Sequence, residues 1–62
     1  MLGQKVRVKS AGWARYEVAH PPILNKDRDR IVMAAPLHPP FDDKVLLDFP
    51  LFWFYEDEVE RV

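Results

Sequence analysis

The side chains able to do covalent chemistry are few and narrow in type. Ser10 is the only serine, threonine and cysteine are absent, and Gln4 and Asn25 are the only side-chain amides. Nucleophilic catalysis would fall to Ser10, which has no neighbouring base and no glycine-rich elbow to present it; it reads as a turn or capping hydroxyl. Acid–base work needs two carboxyl groups converging on one pocket, with pKa values pushed apart. Asp42, Asp43, Asp48, Glu56, Asp57 and Glu58 supply the groups. A chain this short has little room to enclose a cleft of about 300 Å³ or more, so these carboxylates read as solvated turns. Asp48 interrupts an apolar run, and is expected to face outward beside Leu46 and pair with Lys44 or an arginine. His20 and His38, with Asp42 or Asp43, would suit zinc or manganese. The histidines stand 18 positions apart, without the close spacing of a strong zinc site. The expectation is no catalytic residue, no metal and no cofactor.

Binding chemistry is better represented. In Val45-Leu46-Leu47-Asp48-Phe49-Pro50-Leu51-Phe52-Trp53-Phe54-Tyr55, two apolar runs meet at one proline. Strand geometry sends alternate side chains to opposite faces. If Val45, Leu47, Phe49, Phe52 and Phe54 face a core, then Leu46, Trp53 and Tyr55 face outward. Exposed aromatic surface on a small domain marks an interaction site, and burying one such side chain contributes roughly 1.5–3 kcal/mol. Leu46, Trp53 and Tyr55 are therefore expected to anchor another protein, with Arg7, Arg15 and Arg28 steering or pairing. A homodimer seam is another use of the same surface, and Trp13, Ile31 or Met33 are the residues able to cover Trp53. The competing reading is nucleic-acid binding. Lys5, Arg7 and Lys9 share one strand face roughly 6–7 Å apart, with Trp13 and Arg15 nearby. Phosphate neutralisation beside a stacking ring is how single strands are held. A net charge of -1 weighs against it.

The elements that must position these residues follow from patterning. Lys5-Val6-Arg7-Val8-Lys9 alternates and predicts a half-buried strand with Val6 and Val8 inward. Ala11-Gly12 predicts a turn or bulge. Trp13 to Ala19 fits either an irregular strand or one helical turn, and His20-Pro21-Pro22 ends either. Asn25 to Arg30 is polar and turn-prone. Ile31 to Ala35 is a short apolar run rich in strand formers, closed by Pro36. Lys44 to Phe49 is the clearest strand, and Pro50 places a bend after it. Phe52 to Tyr55 predicts the next strand, Glu56-Asp57-Glu58 a single 3₁₀ turn, and Val59 to Val62 a last strand. His20-Pro21-Pro22 and His38-Pro39-Pro40 echo one another as two stiff strand exits, too short for a repeat architecture.

Composition agrees with one small folded domain over residues 1–62. Apolar residues make up 48% and aromatics 13%, too rich for a disordered chain. A domain of this size buries roughly 60% of its unfolded surface, and without cysteine no disulfide or thiolate zinc site assists it. Residues 1–31 carry seven Lys and Arg against three Asp and Glu, or +4; residues 32–62 carry two against seven, or -5. The halves are expected to pair in the fold. The charged start, without a signal-peptide pattern, points to the cytoplasm, and no apolar run reaches the ~20 residues of a membrane span.

The start Gly3-Gln4-Lys5-Val6-Arg7-Val8 and the end Trp53-Phe54-Tyr55-Glu56-Asp57-Glu58-Val59-Glu60-Arg61-Val62 resemble small SH3-like and KOW-like barrel domains. These often open on a Gly-x-Lys-Val-x-Val strand and close on an aromatic strand, an acidic turn and a Glu-Val tail. The resemblance covers about a third of the chain. It implies an all-β, five-stranded barrel of the kind found in small bacterial and phage proteins and in the barrel subunit of photosynthetic ferredoxin-dependent complexes. In the middle the chain departs from that pattern, with His-Pro-Pro loops in place of turn glycines.

Overall fold

Period-two alternation yields five strands, and the computed structural model describes residues 2–62 of the chain. The order is β1 (Lys5–Val8), helix α1 (Ser10–Tyr16), β2 (Arg30–Ala34), β3 (Lys44–Leu47), β4 (Trp53–Tyr55), a 3₁₀ turn (Glu56–Glu58) and β5 (Val59–Arg61). The strands form one antiparallel sheet in the order β4-β3-β2-β1-β5. The protein is all-β apart from its one short helix. The sheet does not close, since among the described residues no ladder joins β4 to β5.

β2 is the hinge of the sheet. Its first residues pair with β1 (Val6 opposite Arg30), and Val32 and Ala34 pair with β3. An irregularity in register between Val32 and Ala34 sits midway, and a bulge of this kind bends a strand and increases its twist. Asp48 fixes the far end of β3. Its Oδ1 accepts from the Ile31 and Phe49 amides, and its own amide donates to the Ile31 carbonyl at 2.9 Å. It therefore faces outward, as expected, but binds backbone rather than Lys44 or an arginine.

One face of the sheet packs on α1. Val6, Val8, Trp13, Tyr16, Val32, Val45, Leu47, Phe54 and Val59 form the buried core, with Ile23, Ala35 and Phe52 against its margin. Phe49, expected inside, is 57% exposed. β3 stops at Leu47, so the alternation that would have turned Phe49 inward has already ended.

The segment Ser10–Tyr16 is helical, where Ala11-Gly12 predicted a turn and Trp13 onward was open between strand and helix. Trp13 and Tyr16 are three apart, so a helix puts both on one face. Their rings meet edge to face at 5.8 Å, and Trp13 meets Phe54 at the same distance. Trp13 is buried. This overturns its expected role as a base-stacking platform and leaves it packed under the sheet, not over Trp53.

Gly12 is the close-approach point. A Cβ built there would lie 2.7 Å from Val8 Cγ1 and 3.2 Å from the Glu58 carbonyl oxygen. Neither is the free end of a flexible side chain. Gly12→Ala should therefore destabilise the protein by about 1–3 kcal/mol, although alanine is the better helix former. Urea denaturation of the two proteins checks the sign.

Candidate functional site

The candidate site is the sheet face opposite the core. β3 and β4 are in register with Lys44 opposite Tyr55, Val45 opposite Phe54 and Leu46 opposite Trp53. Directly opposed residues share a face. Val45 and Phe54 are fully buried, so Leu46, Trp53 and Tyr55, expected outward from the sequence, line the other side together with Lys44. Tyr55 is exposed, whereas Leu46 and Trp53 are half-buried. Phe41, from the loop before β3, lies against Trp53 with ring centroids 4.9 Å apart. Trp13 is buried in the core and does not cover Trp53; Phe41 is the ring that lies against it.

Rings and cations alternate from this face to the margin of the core, with Arg15 between them. The Lys44 ammonium stands 5.7 Å from the Phe41 ring and 5.0 Å from the Tyr55 ring. The Arg15 guanidinium stands 4.6 Å from Tyr55 and 4.8 Å from Phe52. His20 closes the row, edge-on to Phe52 and stacked on Tyr16. Each cation–ring contact is worth about 0.5–1 kcal/mol at an exposed site, and together they hold Phe41, Tyr55 and Phe52 in fixed relation.

Arg15 has a second task. Its Nε donates to Glu58 Oε2 at 2.8 Å, and its Nη2 donates to Glu58 Oε1 at 2.8 Å and to the Trp53 carbonyl at 2.7 Å. Glu58 Oε1 also accepts the Tyr55 amide at 2.8 Å. The Glu56 amide donates to the Asp43 carbonyl, which marks that pair as hydrogen-bonded across β3 and β4. Alternation in an antiparallel ladder then turns the Trp53 and Tyr55 backbone groups away from β3, toward the open edge. Arg15 and Glu58 thus cap one acceptor and one donor of the β4 edge. Arg15, expected to steer or pair, pairs within the chain as a structural clasp.

The other predicted residues scatter. Arg7 is held by Asp29 at 2.7 Å on the opposite flank. Arg28 is exposed, and its side chain has no partner among the described residues; it lines a separate cavity with Arg30. Lys5 and Lys9 are exposed, but with Trp13 buried no ring completes a nucleic-acid stripe. Ser10 begins α1. His38 lies in the loop before β3, its carbonyl accepting from Phe41, and among the described residues no three His, Asp or Glu side chains cluster to hold a metal ion. Of the ion pairs among the described residues, only Arg15–Glu58 joins the basic and acidic halves; Lys26–Glu17, Arg7–Asp29 and Lys44–Asp43 each stay within one half.

Phe41 and Lys44 were missed as residues of this face, and Arg30 as a residue of the separate cavity. A signal existed for Lys44, which has the parity of Leu46, and for Arg30, which has the parity of Val32. None existed for Phe41, whose place depends on a loop. Beside Tyr55 opens a groove of about 610 Å³ lined by Ala11, Asp43, Tyr55, Glu56, Asp57 and Glu58. With Glu58 committed to Arg15, the free charges of that groove are acidic. No helix among the described residues is long and apolar enough to cross a membrane. No protein-family model matches the chain, and no curated protein or solved structure matches it either.

The clasp makes stability depend on pH. Hydrogen bonds from Arg15 hold the Glu58 carboxyl below its ordinary value of 4.5, against the opposing effect of burial, with the Tyr55 amide adding to the shift. A carboxylate depressed in the folded state contributes stability that is fully present above its unfolded pKa and is lost as pH falls through the folded one. Glu58→Gln should cost about 1.5–3 kcal/mol at neutral pH, the size of a hydrogen bond to a charged group. It should also lose less stability than the parent below about pH 4.5. Urea melts between pH 7 and pH 3 give both numbers; parallel curves for the two proteins would remove Glu58 as the titrating jaw.

Proposed function

We propose that the chain is a non-catalytic protein-binding module that engages a larger partner through the outer face of β3 and β4. The observation that carries this reading is the division of one hairpin. Val45, Leu47 and Phe54 are sealed in the core, while Phe41, Leu46, Trp53 and Tyr55 form a ring-rich surface still open to solvent. Preformed, rigid aromatics are the usual anchors of binding hot spots. The rings are already ordered by Lys44 and Arg15, so little side-chain entropy remains to be lost on binding.

Two features narrow the partner. The clasp occupies backbone groups on the β4 edge, so docking uses the face of the sheet rather than strand addition. The groove beside Tyr55 carries Glu56 and Asp57, with Asp43 already paired to Lys44, which favours a segment that sets a Lys or Arg next to its apolar residues. The strand order and the 3₁₀ turn before β5 support the SH3-like reading of the fold. The nucleic-acid alternative lacks its stacking ring, since Trp13 is buried.

Affinity capture from a cell lysate, with variants as controls, tests the proposal. Trp53→Ala and Leu46→Glu should keep the sheet signal in circular dichroism and lower partner retention at least about tenfold, the equivalent of one buried apolar side chain. Glu56→Lys with Asp57→Lys should weaken the same partner. Retention unchanged by any variant would overturn the proposal, as would collapse of the fold in Trp53→Ala.

A further inference from the structure

A second site lies away from the aromatic face and shares no lining residue with it. A cavity of about 390 Å³ is lined by Ile23, Leu24, Asn25, Arg28, Arg30 and Phe49. Its apolar wall is unusually open, with Leu24 and Phe49 largely exposed. Its polar part is two guanidinium groups and an amide, with no carboxylate in the lining.

Arg30 is the unusual member. It opens β2 opposite Val6, on the core face of the sheet, and is only 5% exposed. Its Nη1 donates to the Phe49 carbonyl at 2.8 Å and its Nη2 to the Asn25 carbonyl at 2.7 Å. Its Nε is buried without a hydrogen-bond partner, and no carboxylate lies within ion-pair distance of it among the described residues. The Trp13 and Phe49 rings stand 5.3 and 5.8 Å from its centre. Asp48, the carboxylate whose field reaches Arg30, has one oxygen committed to two backbone amides. A buried charge is costly unless paired. Carbonyl dipoles and ring faces offset part of that cost but leave the cavity wall positive. Arg28 adds a free, exposed guanidinium at the same wall.

We infer that this cavity binds a carboxylate carrying an apolar arm, the acid on Arg28 in the field of Arg30 and the arm against Ile23, Leu24 and Phe49. A guanidinium fork matches a carboxylate in two parallel hydrogen bonds, and Arg28 has that fork unused. The arrangement admits a small aliphatic acid or the C-terminal residue of a peptide, which present the same chemistry.

Titration of the ¹⁵N-labelled full chain separates these sources. The probes are sodium octanoate and an acetylated pentapeptide ending in leucine with a free carboxylate; the controls are octanamide and the same peptide as its C-terminal amide. At least one acid should give saturable shifts at millimolar concentration or below, confined to the Arg30 Nε–H and the Leu24, Arg28 and Phe49 amides. The neutral controls and the Arg28→Gln variant should each bind at least about tenfold more weakly, as expected for loss of one charge-assisted contact. Saturation by octanoate alone assigns a small acid, and saturation by the peptide alone assigns a chain terminus. Absence of saturation with both acids, equal binding of the amides, or undiminished binding to Arg28→Gln would overturn the site. None of these readouts involves Trp53 or Leu46, so failure here leaves the aromatic-face proposal standing.

Discussion

The ion pair between Arg15 and Glu58 is the constraint on which the rest of the molecule rests. The two residues are 43 positions apart, and they join the helix, the 3₁₀ turn and the outermost hairpin strand at one point. One guanidinium meets a carboxylate in two bonds, takes the Trp53 carbonyl and lies between two rings. The carboxylate in turn takes the Tyr55 amide. Where a closed barrel satisfies its last strand with another strand, this sheet satisfies part of it with two side chains. An edge left bare is a template for unwanted pairing, and here two of the groups facing it are already occupied.

The same pair organises both faces. Toward the core it draws α1 onto the sheet, which is possible only because Gly12 lets the helix approach Val8 and Glu58 closely. Toward solvent it fixes Tyr55, and through Tyr55 the row continues to Lys44 and Phe41. A domain this small has few core residues to spare. Ordering the exposed rings by cations on the surface keeps them available without placing more of them inside.

Much of the sheet was legible in the sequence because period two is a local property. Val6 and Val8, Val45 and Leu47, and the outward set Leu46, Trp53 and Tyr55 follow from alternation alone, and the acidic 3₁₀ turn from its composition. Phe49 was misassigned because the pattern does not say where a strand stops; an aspartate taking two backbone amides decided that. The helix was only half legible, since Trp13 and Tyr16 fit either period over so short a span. The roles of the arginines were not legible at all. Arg15 depends on a glutamate near the other end of the chain, and Arg30 on carbonyls from two loops. Charged residues read as surface from sequence, and only the fold shows which of them turn inward.

The pairing of β5 with β1 carries a consequence for how the protein is made. The first strand can find its neighbour on that side only after Val59–Arg61 has been synthesised, and the clasp likewise waits for Glu58. Until then β1 has one bare flank, α1 has nothing to dock against at the 3₁₀ turn, and Arg15 has no counter-ion. Contacts this distant in sequence raise the entropy lost before any is rewarded. On the ribosome these contacts should therefore form only once Val59–Arg61 has left the exit tunnel, and then together.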